Sequence, residues 1–190
     1  MIAAAVFALA LWGAGGCAPK VPGDVDPFVA ALASADARWE ARSATGNVDE
    51  AERAYTALLA ERPQSGDVLW RLSRLYWSRA WIDPGQAETW HEVGREQALR
   101  CLAADPGIAD AITRQGDRLD AGRVAAASVP AECAALAASH VAALADLRGA
   151  GAALDLEDVD ALLAAPRPAT PEVAALGRWA DGVQIGRAHV

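Results

Sequence analysis

Between Asn47 and Pro63 apolar and polar positions alternate with a helical period. Ala51, Tyr55 and Leu58 recur at i, i+4 and i+7, one face of a helix, with charged residues on the others. Asp49 and Glu50 put negative charge in the first turn, where the helix dipole favours it, and Pro63 stops the run. The same offsets return later: Gly94, Ala98, Cys101 and Pro106 repeat the spacing of Ala51, Tyr55, Leu58 and Pro63. Around these two stretches the pattern predicts further helices. Asp26 and Pro27 pair as N-cap and first-turn proline for a helix running to Ala44, broken at Gly46-Asn47. Asp67 is the expected cap of a helix carrying Leu69, Leu72 and Tyr76 on one face, interrupted by Asp83-Pro84-Gly85. Beyond Pro106 the pattern predicts helices over Ile108–Asp120, Ala131–Leu147 and Leu156–Ala164, the last before the proline-rich stretch 166–171. Strand-like alternation is hard to find.

A small residue, an aromatic, an apolar residue and a helix-ending proline at these offsets resemble the second helix of a tetratricopeptide (TPR) repeat. Leu69, Leu72 and Tyr76 match the first helix of the next unit. One such unit cannot bury its apolar face alone, so neighbours must stack on it. The expected fold is therefore all-α, with TPR-like antiparallel helical hairpins stacked as an α-solenoid over residues 27–184. The first helix departs from the pattern, with Arg38 and Trp39 where leucine and glycine are usual. Pro63 to Pro106 spans 43 residues, about nine more than the ~34-residue repeat. The second unit thus carries an insertion that contains Trp90 and His91.

The two ends read differently. Residues 1–16 form an apolar run ending in small residues, as a signal peptide does. Ala14-Gly15-Gly16-Cys17 resembles a lipobox, which makes Cys17 the expected lipidation site and residues 17–26 a tether. Ala14 stands where leucine is usual, and no Lys or Arg precedes the run. Ala18 stands where an inner-membrane retention signal has aspartate, so the expected location is the periplasmic side of the outer membrane, held by the lipid. An ordinary secretory signal is the competing reading. Residues 185–190 match what the opening of a common sequencing adapter encodes, and His189 is set aside on that account.

The formal charge of −8 argues against nucleic-acid binding, which wants a basic face. Seven tryptophans against two phenylalanines draw attention to placement. Trp70, Trp77 and Trp81 fall on one line of the helix after Asp67, with Arg74 beside them and away from the Leu69, Leu72, Tyr76 face. In TPR stacks such positions line the concave groove, so these four residues are the candidate groove, with Arg74 able to hold an anion or stack on indole. The alternative is that the insertion folds back and buries the tryptophans as core. Cys101 and Cys133 either pair in an exported compartment or stay separate buried thiols. His91 and His140 have no companions at metal-ligand spacing, and no triad order, paired-carboxylate motif, phosphate loop or HExxH is present. The sequence points to no metal, no cofactor and no enzyme.

Together the leader, the early hairpin, LWRLSRLYWSRA, WHEVGREQALRCLAADP and LAASHVAALADLRGAGAALDLEDVDALL resemble the TatT family over about Asp36 to Leu163. These are TPR lipoproteins associated with tripartite ATP-independent periplasmic (TRAP) transporters. Where that family has aromatics in its later helix pair, this chain has mostly alanine. The resemblance implies a homotrimer that partners a periplasmic solute-binding protein and passes small hydrophobic or organic-acid ligands through an internal pore. The alternative is a TPR scaffold lipoprotein serving outer-membrane assembly or secretion.

Overall fold

The computed structural model describes residues 26–113, 119–149 and 157–188, and every regular element in them is helical. In chain order these are α1 (Pro27–Glu40), α2 (Asn47–Glu61), α3 (Gly66–Ile82), a 3₁₀ turn (Pro84–Gln86), α4 (Ala87–Leu102) and α5 (Pro106–Thr113). Then follow α6 (Ala121–Ala126), α7 (Ala131–Arg148), α8 (Glu157–Leu163) and α9 (Pro171–Ala188). The protein is all-α. The leader, Cys17 and its tether up to residue 25, and His189 lie outside the described residues.

Local chemistry sets the helix ends. Asp26 Oδ1 accepts a hydrogen bond from the Phe28 amide at 2.9 Å, and Pro27 holds the first helical position, as the sequence indicates. The first helix stops at Glu40 rather than Ala44. The chain there turns through Gly46, whose φ of 84° suits glycine, while Asn47 Nδ2 donates to the Ala41 carbonyl at 2.7 Å. The cap of α3 is Ser65, not Asp67; Asp67 sits in the first turn, its carboxylate 3.6 Å from Arg71. No separate loop holds the insertion. It lengthens the α3–α4 hairpin across the 3₁₀ turn, with Trp90 stacked on Tyr76 at 6.0 Å.

Two cores share α3. Its Val68, Leu72 and Leu75 close a first core with Phe28 and Trp39 of α1 and Tyr55 and Leu58 of α2. Its Leu69 and Trp70 join a second core built on α4, α7, α8 and α9. The repeat positions Ala51, Tyr55, Leu58, Leu69, Leu72, Gly94 and Ala98 are buried and Tyr76 half-buried, whereas Pro63 is exposed in a turn and Pro106 is exposed at the start of α5.

After α4 the arrangement departs from the expected third hairpin. The helix expected over Ile108–Asp120 begins at Pro106, and Asp120 is not its end but the cap of α6, accepting from the Arg123 amide at 2.9 Å. The neighbour of α4 is instead α7, buried continuously from Glu132 to Ala145 between α4, α8 and α9. A helix apolar all round belongs in an interior, and its alanines let the surrounding helices come close.

The proline-rich stretch does not end the structure; it leads into α9. Thr170, Pro171 and Glu172 form a helix start, and Glu132 Oε1 on α7 accepts from both the Thr170 amide (3.2 Å) and its hydroxyl (3.1 Å).

Candidate binding site

The four candidate groove residues have different fates, and α9 decides them. Arg74 is 5% exposed, its guanidinium 4.6 Å from the Trp39 ring and 5.1 Å from the Trp70 ring. Glu172 on α9 reaches it at 3.7 Å and also lies 3.6 Å from Arg42. Burial lowers the pKa of Arg74 from its ordinary value, and the negative charge of Glu172 opposes that shift. Trp70 is buried beside it, and Trp77 is buried deeper along the same helix. Only Trp81, at 76% exposure, remains an open surface residue. The open groove expected from Trp70, Arg74, Trp77 and Trp81 is therefore largely filled. What fills it is α9, through Glu172 and Trp179, together with His140 of α7 and His91 of α4; the inserted stretch, which contains His91, thus helps to bury Trp77, as helix and not as loop.

Trp77 leads to the most polar part of the interior. Its ring lies 4.8 Å from His91, 5.4 Å from His140 and 5.3 Å from Trp179, centroid to centroid. His91 Nδ1 and His140 Nδ1 are 3.0 Å apart, and His140 Nε2 is 3.2 Å from the Ser73 carbonyl. A carbonyl only accepts, so His140 Nε2 carries the proton and its Nδ1 is the acceptor. His91 Nδ1–H is then the donor to it, which leaves His91 Nε2 as an unprotonated acceptor. Both rings are neutral in this arrangement. Desolvation pushes the pKa of His91 down to about 4, and desolvation together with the His91 charge pushes that of His140 down to about 3.

Room for His140 comes from Gly94. A Cβ at position 94 would lie 2.2 Å from His140 Cε1, closer than any real contact. The Gly94 carbonyl also accepts from the Ser73 hydroxyl at 2.9 Å. The sequence marks Gly94 as a small residue for close helix approach; the structure shows that the space it leaves admits an imidazole from α7. About two helical turns away, Cys101 and Cys133 form a disulfide that ties α4 to α7, with Cα atoms 5.8 Å apart. That settles the two readings of these cysteines in favour of pairing.

Toward the outer end of α3, His91 lines a cavity of about 140 Å³. Trp77, Trp81, Trp179, His91, Asp146 and Leu147 are among the residues that line it. No family model, curated protein or solved structure matches this chain.

In the hydrogen bonds they make, the two histidines face each other and backbone, not a nucleophile or a carboxylate. Among the described residues no group of three or more His, Cys, Asp or Glu is placed to hold a metal ion. No described helix is long and apolar enough to cross a membrane. Sequence reasoning missed the His91–His140 contact because the two are 49 residues apart and share no motif. Trp179 is just as hard to find from sequence, since the one local signal for α9 is the helix start Thr170-Pro171-Glu172.

Proposed function

We propose that this chain is a non-catalytic, lipid-anchored TPR-type accessory of a TRAP-type solute transport system. It stands on the periplasmic side of the outer membrane and engages a periplasmic solute-binding protein. The observation that carries the reading is the repeated packing face. Ala51, Tyr55 and Leu58 on α2, and Gly94, Ala98 and Cys101 on α4, share one set of offsets and are all buried against neighbouring helices. This is the use a TPR repeat makes of those positions, and α1–α4 supply two successive hairpins of that kind. The disulfide between α4 and α7 agrees with an oxidising, exported setting, as do the leader and Cys17. The trimer and the internal pore of the resembled family belong to the same proposal.

Pull-down from envelope extract tests it, using the mature chain with Cys17→Ser, read by mass spectrometry. Recovery of a TRAP-type solute-binding protein is the expected result. Recovery only of outer-membrane assembly or secretion components would replace the transporter reading with the scaffold one.

A further inference from the structure

The cavity that His91 lines presents a hydrogen-bond acceptor of fixed character, and the hydrogen bonds behind it fix that character. The Ser73 carbonyl, 3.2 Å from His140 Nε2, can only accept, and His91 Nδ1 lies 3.0 Å from His140 Nδ1. A proton on His91 Nε2 in place of Nδ1 would leave His140 to donate from Nδ1 and turn its own lone pair toward the carbonyl. The neutral pair therefore holds His91 Nε2 as an acceptor. Among the described residues that atom has no hydrogen-bond partner, since His91 bonds through Nδ1 alone. Nor is it one of the buried polar atoms left without a partner, which are Trp39 Nε1, Arg74 Nε, Arg79 Nε and Trp90 Nε1. His91 Nε2 thus reaches open space, and His91 borders this cavity.

Around that acceptor the walls are largely apolar. Trp77 and Trp179 meet at an interplanar angle of 70°, and Leu147 and the largely exposed Trp81 complete the rim. We propose that this cavity binds a small neutral hydroxyarene, a phenol, with its ring against the indoles of Trp77 and Trp179 and its hydroxyl donating to His91 Nε2. An aromatic ring entering between two nearly perpendicular indoles lies offset on one and edge-on to the other, the two arrangements that aromatic pairs prefer. A cavity of roughly 150 Å³ holds a benzene-sized molecule, and this one is about 140 Å³. A carboxylate has no proton to give at neutral pH and would set its lone pairs against that of Nε2. Asp146, which also lines the cavity, already has a partner of its own and does not decide the choice. The proposal is independent of the transporter reading, so failure of the pull-down leaves it standing.

Titration of the mature chain (Cys17→Ser) with phenol, followed by NMR of the tryptophan indoles and of the histidine ring nitrogens, tests it. Fluorobenzene is the comparison of nearly equal size without a donor, and benzoate is the aromatic anion. Phenol is expected to bind with a Kd on the order of 1 mM, given its few atoms. It should bind about fivefold tighter than fluorobenzene, the worth of one net hydrogen bond. Both ligands should move the indole signals of Trp77 and Trp179, and only phenol the nitrogen signal of His91 Nε2, a readout that needs no variant. His91→Phe keeps a ring against Trp77 and should abolish the preference for phenol, whereas Asp146→Asn should preserve it. Equal affinity for phenol and fluorobenzene, or a His91 Nε2 signal that phenol leaves in place, would reduce the cavity to an apolar pocket and overturn the proposal. So would preference for benzoate, loss of the preference in Asp146→Asn alone, or absence of any shift at about 20 mM phenol, roughly twenty times the expected Kd.

Discussion

The two cores that share α3 are built from different materials. The first, between α1, α2 and α3, is wedged open by large rings: Trp39 and Tyr55 are fully buried, and the Tyr55 hydroxyl donates to Asp36 at 2.7 Å. Asp36 in turn accepts from Arg71, so the polar edge of this core is closed at its surface. The second core is centred on an alanine-rich helix and carries its polar groups inside: His140 and Ser139 are fully buried, with His91 and Glu132 nearly so. Alanine buries little area per residue, about one methyl each, so α7 gains less per buried residue from the hydrophobic effect than α2 does from its tyrosine. Its position is fixed instead by close fit, by a covalent bond and by a few directional hydrogen bonds. One half is held by bulk and the other by fit, and each kind of core breaks in its own way.

Fit can be broken with a single methyl group. Gly94→Ala puts a Cβ into the His140 ring, which is fully buried and packed on Trp77, so it has nowhere to move. The expected cost is about 4 kcal/mol, beyond the usual range for overpacking, measured as a shift in the urea midpoint. His140→Ser in the same chain should recover part of the loss by removing the ring. Gly46→Ala serves as the contrast at the edge of the first core. Nothing lies within 4 Å of that site and only its φ of 84° is strained, so about 1 kcal/mol is expected. Equal costs at the two sites would show that the second core yields as readily as a turn.

The covalent tie comes next. Replacing Cys101 and Cys133 by alanine opens a link with a sequence separation of 32, for which about 3 kcal/mol is expected. Hydrogen exchange should show where that loss falls. Amides of α7 and α4 should lose protection, while those of α1 and α2 keep theirs. Uniform loss through all helices would mean that the two cores unfold as one unit and that the contrast between them is only compositional.

The same contrast explains what the sequence disclosed. In the first core, the period of Ala51, Tyr55 and Leu58 and the Asp26-Pro27 start define helices whose buried face can be read directly, because one face is apolar and the rest polar. On α7 no such face exists: AECAALAASHVAALADLR is small and apolar nearly all round, so spacing identifies a helix but not its neighbours. The candidate line of Trp70, Arg74, Trp77 and Trp81 was legible as a line. Whether it faced solvent depended on α9, about a hundred residues away, whose Glu172 and Trp179 meet it only in the folded chain. The pairing of His91 with His140 was hidden for the same reason, since neither residue has a local partner that would mark it.

The smallest effect is the pH response, and it belongs wholly to the second core, because the described part of the chain has no histidine outside α4 and α7. In the unfolded chain both histidines titrate near 6.5; in the folded chain burial holds them neutral down to about 4 and about 3. Between those values the unfolded state takes up protons that the folded state refuses, so stability falls as the pH drops below about 7. From pH 7 to pH 6 the loss should be about 1.4 kcal/mol for the two together, in a range where ordinary carboxylates stay ionised. Urea titrations of the natural chain and of His91→Asn/His140→Asn at the two pH values isolate the effect, and His189, present in both, cancels. A chain that gains stability on acidification, and loses that gain in the double variant, would mean that the pair holds an extra proton between its Nδ1 atoms. The second core would then owe its polar centre to a charge rather than to two neutral rings.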